Sequence, residues 1–138
     1  MPRTADVEST CLISIVDDDE PIREAINELV SSLGYHSVKF ASAEEFLNSE
    51  RLDDTSCLIT DVRMPGLSGI DLQCRLIAQG RTLPIIFVTA LTDERTRVRA
   101  LTAGAVGFLG KPFDEACLIR CLVKALGGPT TEAAPSVF

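Results

Sequence analysis

Four short apolar runs in this chain each end in a polar residue, and that repetition limits the folds open to it. Leu12-Ile13-Ser14-Ile15-Val16 meets Asp17-Asp18-Asp19-Glu20, and Cys57-Leu58-Ile59-Thr60 meets Asp61. Ile85-Ile86-Phe87-Val88 meets Thr89, and Ala105-Val106-Gly107-Phe108-Leu109-Gly110 meets Lys111-Pro112. Runs this short, bounded by turn residues and separated by helical patterns, predict buried strands of a parallel sheet. Such strands finish at one common edge, where open α/β sheets hold their ligands. The pattern therefore gathers carboxylates, a hydroxyl and an ammonium in one place, a set suited to a divalent cation and a phosphoryl group.

The segments between the runs read as helices. Ile22, Ala25, Ile26, Leu29, Val30 and Leu33 follow helical spacing after Pro21, which suits a first turn, and Gly34 marks the stop. Val38 and Phe40 lie in a more polar strand over 35–41, as expected of a sheet edge. Ser42-Ala43-Glu44-Glu45 is a capping-box pattern, and Ser68 and Thr92-Asp93 can cap helices over 69–79 and 93–103. The helix over 93–103 is thinly apolar, with Val98 and Leu101 set against Arg95, Arg97 and Arg99, so light docking is expected. A last helix spans 114–126, with Leu118, Cys121, Leu122 and Ala125 inward. Strand and helix thus alternate five times. Right-handed crossovers then predict a doubly wound five-stranded parallel sheet in the order 2-1-3-4-5, with five helices on two faces. The switch point falls between strands one and three, where Asp17, Asp18 and Asp61 terminate.

Composition narrows the function. A length of 138 residues suits one domain, expected over 10–126 between a flexible 1–9 and a linker-like 127–138. The net charge of −7 argues against direct nucleic-acid binding. No apolar run approaches a bilayer span, and the first ten residues lack the apolar core of a signal peptide, so a cytoplasmic location is expected. Cys11, Cys57, Cys74, Cys117 and Cys121 include no CxxC pair and read as small core hydrophobes, neither a zinc site nor a disulfide framework. The single histidine, His36, lacks a second ligand and reads as an ordinary surface or packing residue.

The strand-end residues carry the chemistry. Clustered carboxylates repel unless one is protonated or a cation neutralises them. Hard oxygen ligands without His or Cys favour Mg²⁺ or a similar ion such as Mn²⁺, so Asp17, Asp18 and Asp61 are candidate ligands. Lys111 and Thr89 can each take one phosphoryl oxygen, and Asp61 can act as nucleophile to form an acyl phosphate. Singly, each has an ordinary role: a turn former, a good strand residue, a solvated strand-end charge. What distinguishes them is that each ends a strand of its own.

Ile15-Val16-Asp17-Asp18-Asp19-Glu20-Pro21, Thr60-Asp61-Val62-Arg63-Met64-Pro65-Gly66, Val88-Thr89-Ala90 and 104–113 together resemble the receiver domain of bacterial response regulators, and within it the FixJ-like branch. The resemblance covers about 10–126 and implies the flavodoxin-like receiver fold. It also implies Asp61 as phosphoacceptor, Asp18 as a direct and Asp17 as a water-mediated Mg²⁺ ligand, and the backbone carbonyl of Arg63 as a further ligand. Thr89 and Lys111 match the phosphate-sensing pair, Phe108 the switch aromatic, and Lys111-Pro112 a cis bond. The implied donor is a sensor histidine kinase, and the responding surface is helix 4–strand 5–helix 5, which could self-associate on phosphorylation. Such a protein is a signalling receiver, not an enzyme acting on a separate substrate. FixJ-like regulators usually carry a DNA-binding domain. Here about a dozen residues follow the last helix, so either a stand-alone receiver or a chain cut in its linker is expected, with its output partner open.

Three other readings fit the residues less well, and the second of them is nearly excluded. A phosphatase of the haloacid dehalogenase type also uses a strand-end aspartate, Mg²⁺, a hydroxyl and a lysine, but this chain has no cap domain. A flavodoxin-like nucleotide binder needs a Gly/Ser/Thr-rich phosphate loop, where this chain has three aspartates. A pseudo-receiver would bind partners without phosphorylation, although no residue of the acceptor set is missing.

Overall fold

A computed structural model describes residues 11–90 and 93–127. The expected flexible N-terminus, the C-terminal tail and Thr92 lie outside the described residues, apart from Gly127. The elements alternate as β1 (Leu12–Val16), α1 (Glu20–Ser32), β2 (His36–Phe40), α2 (Ala43–Leu47) and β3 (Cys57–Thr60). They continue with α3 (Gly69–Ala78), β4 (Ile85–Thr89), α4 (Glu94–Thr102), β5 (Gly107–Gly110) and α5 (Glu115–Leu126). All strand pairs are parallel, in the order β2-β1-β3-β4-β5. This is the doubly wound sheet that the alternation predicts, with the polar strand β2 at one edge.

The central strands are buried throughout and largely apolar because both sheet faces are covered, and strict alternation divides their side chains between two cores. Leu58, Ile85 and Phe87 point to one face, where Phe40, Phe46, Leu72 and Leu76 complete the packing. Cys57, Ile59, Ile86 and Val88 point to the other, against Ile26 and Val30 of α1 and Leu118 and Leu122 of α5. Ser14 is buried within β1, where its hydroxyl meets that of Thr55 at 2.7 Å.

Capping follows the local sequence. Ser42 Oγ accepts from Glu45 N at 3.1 Å, and Ser68 forms a full capping box with Asp71. The Ser68 backbone and side-chain hydrogen bonds hold the Asp71 carboxyl below its ordinary value of 3.8. The folded chain therefore binds that proton less tightly than the unfolded chain. The contribution of Asp71 is complete above 3.8 and fades as pH falls through the lower folded value. Denaturation midpoints of the wild type and Asp71→Ala should separate above about pH 4 and converge in stronger acid. A gap that does not change with pH would exclude the carboxylate charge as its source.

Several details differ from expectation. In α4 the buried residue is Ala100, while Val98 is 48% exposed and Leu101 only half-buried. Two further residues of the predicted α1 stripe, Ala25 and Leu33, are exposed, whereas Ile26 and Val30 are buried and Ile22 and Leu29 pack half-buried against the core. Strand β5 begins at Gly107 rather than 105, since Ala105 N still closes the end of α4 on the Ala100 carbonyl at 3.0 Å. That carbonyl takes a second hydrogen bond, at 3.1 Å, from Nε2 of Gln73, a side chain of α3 only 2% exposed. Of the cysteines, Cys57 is buried, but Cys74 is exposed and Cys11, Cys117 and Cys121 are half-buried. The reading of all five as core residues therefore fails most clearly at Cys74, which lies on the solvent side of α3.

Candidate functional site

The site forms where the ladder bonds run one step beyond the strands. Asp17 N donates to the Phe40 carbonyl, Asp61 N to the Val16 carbonyl and Lys111 N to the Thr89 carbonyl, at 3.1, 3.1 and 2.9 Å. These bonds hold the backbones of Asp17, Asp61 and Lys111 in sheet register just past the last strand residues. Asp17, Asp18 and Asp61 each offer a carboxylate oxygen to one group whose atoms lie within 4.8 Å of one another. Asp17 and Asp61 are buried and Asp18 is exposed. Lys111 joins them from β5: its Nζ lies 2.9 Å from Asp61 Oδ2 and 3.1 Å from Asp17 Oδ2. The Lys111-Pro112 peptide is cis.

Each carboxylate is also fixed by the backbone. Asp61 Oδ1 accepts from Val62 N at 2.6 Å, and Asp17 Oδ1 accepts from Asp19 N at 2.9 Å. Asp19 holds the N-cap position of α1, but its side chain makes no capping bond. Burial pushes the Asp17 carboxyl above its usual range, against the lowering effects of the Asp19 amide and of Lys111. For Lys111, burial would lower the ammonium, but the hydrogen bond to Asp61 and the close negative charges of Asp17 and Asp61 outweigh it and leave the group raised.

The donor set fits a hard divalent cation. Three carboxylate oxygens converge with no histidine or thiol among them. Asp17 Oδ2 is buried and accepts no aligned hydrogen bond among the described residues, although the Lys111 ammonium is close enough for an ion pair. Buried anionic oxygens are costly to leave without a partner, so this atom is available as a ligand, directly or through water.

The remaining predicted residues lie on β4, on β5 and in the loop after Asp61. Thr89 is buried at the end of β4. Phe108, paired with Phe87 in the β4–β5 register, is half-buried with its ring centroid 5.9 Å from that of Phe87. It packs on the sheet face that also holds Ala100 of α4. Arg63 is exposed between the buried Val62 and Met64.

Sequence reasoning missed three supports. Arg23 Nη1 donates to the Asp17 carbonyl at 2.7 Å, tying α1 to the acidic corner. Its place one helical turn after Asp19 was the available signal. Gly69 N donates to the Val62 carbonyl at 2.7 Å and closes the loop after Asp61. Glu44 of α2 reaches the same loop and accepts from Leu67 N at 3.0 Å. Nothing local in the sequence marks that last contact.

A family model described as the response regulator receiver domain matches residues 13–123. The chain belongs to the response regulator receiver family. It is a phosphoacceptor signalling domain, not an enzyme, with an acidic pocket formed by Asp17, Asp18 and Asp61 beside Lys111. Nodulation protein W of Bradyrhizobium diazoefficiens is 44% identical over 114 residues, which cover 83% of this chain and 50% of that protein. Transcriptional regulatory protein FixJ of Azorhizobium caulinodans is 38% identical over 115 residues, covering 83% of this chain and 54% of that one. This receiver therefore spans about half the length of the curated relatives it matches. The crystal structure of a response regulator receiver protein from Pseudoalteromonas atlantica is similar at a TM-score of 0.77 and 33% identity, covering 84% of this chain and 97% of that one. No helix among the described residues is long and apolar enough to cross a membrane.

Proposed function

We propose that Asp61 accepts a phosphoryl group from the phosphohistidine of a sensor histidine kinase, in the cytoplasm, with Mg²⁺ or Mn²⁺ bound. A carboxylate oxygen of Asp61 attacks phosphorus and an O–P bond forms. The donor P–N bond breaks, its electron pair returning to the imidazole, and Asp61 becomes an acyl phosphate. Asp18, Asp61 and the Arg63 carbonyl, with Asp17 acting through water, would hold the cation, which when bound would supply charge neutralisation at the phosphoryl oxygens. The ammonium of Lys111 takes a second oxygen and the hydroxyl of Thr89 a third. Movement of Thr89 toward the phosphoryl group vacates space that Phe108 enters, and the α4–β5–α5 surface changes with it. Arg95, Arg97, Arg99 and Val98 are exposed on α4, where a second phosphorylated copy or an output partner would dock.

The observation that most supports this reading is the Lys111 ammonium shared between Asp61 Oδ2 and Asp17 Oδ2. It is a cation already placed where negative charge would develop, at the ends of separate strands. The test is intact mass after incubation with acetyl phosphate and Mg²⁺. The wild type should gain one phosphoryl group, Asp61→Asn none, and EDTA should abolish the gain. No gain in folded wild type would leave an interaction module that works without phosphorylation.

A further inference from the structure

Helix α2 follows the edge strand β2 and contributes no residue to the acidic cluster, yet its first turn holds the loop that follows Asp61. The root of that loop is closed by the hydrogen bond from Gly69 N to the Val62 carbonyl. Its middle is fixed by Met64, buried in the core that also contains Ala43 and Phe46 of α2. Between Met64 and the cap at Ser68 come Pro65, which has no N–H, and Gly66, and both are exposed. Here the tie is polar: Glu44 Oε2 accepts from Leu67 N at 3.0 Å. Gly66 has φ +80°, and a Cβ added to it would lie 2.5 Å from the same oxygen. The backbone conformation favours glycine, and any side chain there would displace the carboxylate end of Glu44. Glu44 belongs to the first turn of α2, whose start is capped by Ser42 Oγ accepting from Glu45 N and by Glu45 Oε1 accepting from Ala41 N.

We propose that Glu44 is a positioning residue for the cation site, acting through the 62–68 loop on the Arg63 carbonyl without touching the cation. This rests on the reading of that carbonyl as a ligand. Carboxylate ligands at the ends of β1 and β3 are fixed by the sheet, whereas a carbonyl in a loop is only as fixed as the loop. Supports of this kind around a metal site typically alter affinity by tenfold or more, and a single surface hydrogen bond by less. Loss of the Glu44 tie should weaken Mg²⁺ binding about fivefold while leaving overall stability nearly unchanged, since Glu44 is exposed.

The experiment is calorimetric titration of the metal-free full chain with MgCl₂, for the wild type, Glu44→Ala and Glu44→Gln, with thermal midpoints measured in EDTA. The amide oxygen of Gln can accept the Leu67 bond. The expected result is a loss of about fivefold in Glu44→Ala, with Glu44→Gln within about twofold of the wild type and all midpoints alike. Wild-type affinity in Glu44→Ala would overturn the proposal. So would equal losses in both variants, which would assign the effect to charge, or a fall in affinity that tracks a fall in midpoint. If the wild type itself takes up no Mg²⁺, the reading of the cation site fails and this proposal fails with it.

Discussion

Gly69→Ala should be among the most damaging single-methyl additions possible in this receiver, lowering stability by about 3 kcal/mol and phosphoryl acceptance by about a hundredfold. Gly69 is the first residue of α3, and its φ is not positive. The constraint is space. A Cβ there would collide with the carbonyl oxygen of Asp61 and lie 3.1 Å from Cε1 of Phe87. The first obstacle is backbone and the second is a fully buried ring, so neither can swing aside. Relief requires moving either the start of α3 or Asp61 itself, and the bond from Gly69 N to the Val62 carbonyl links the two. Urea denaturation and the rate of phosphorylation by acetyl phosphate check the two halves of the expectation. A variant as stable and as reactive as the wild type would show that the loop can yield.

Lys111→Met should lower stability in EDTA by about 3 kcal/mol near neutral pH, the usual scale for removing one partner of a buried ion pair. Its ammonium faces the side chains of Asp17 and Asp61, 2% and 9% exposed, and their two charges would be left without it. The pH dependence has a definite sign on each side. Lys111 is raised above 10.5 in the folded chain, so its contribution is complete below 10.5 and is lost as pH rises through the folded value. The wild-type advantage should therefore disappear in strong alkali. Asp17, chiefly through burial, is already raised above 3.8 and would rise further without Lys111. The folded variant then holds a proton more tightly than the unfolded chain, and it should gain stability as pH falls toward 3.8. Mg²⁺ should restore part of the loss at neutral pH by binding only the folded form. Unfolding midpoints across pH, with EDTA and with Mg²⁺, provide the measurement. A variant insensitive to both acid and Mg²⁺ would mean that the acidic group does not depend on Lys111.

The sheet and the charged cluster were legible in the sequence for one reason. Asp17, Asp61 and Lys111 each follow an apolar strand and Thr89 ends one, so chain order alone brings them to a common edge. Helix α4 was harder to read because Val98 and Leu101 are too few to define a buried face. The structure seats the helix on Ala100, whose small side chain allows close approach. Cys74 was misassigned for a related reason: it lies between the buried Gln73 and the exposed Arg75, and hydropathy placed the thiol, not the amide, inside. Gly69 and Glu44 could not be recognised locally, because what each touches is fixed only by tertiary packing.

The amide of Gln73 has a mechanical consequence for α4. Its partner, the Ala100 carbonyl, also takes the bond from Ala105 that turns the chain toward β5. Apolar contacts can slide past one another at little cost, but a buried donor that loses its acceptor costs about 1–3 kcal/mol until it finds another. Any displacement of α4 against α3 must cross that step. The helix therefore behaves less like a plate on oil than like a dial with a detent, holding its seat against small disturbances and leaving it only when the push is large enough.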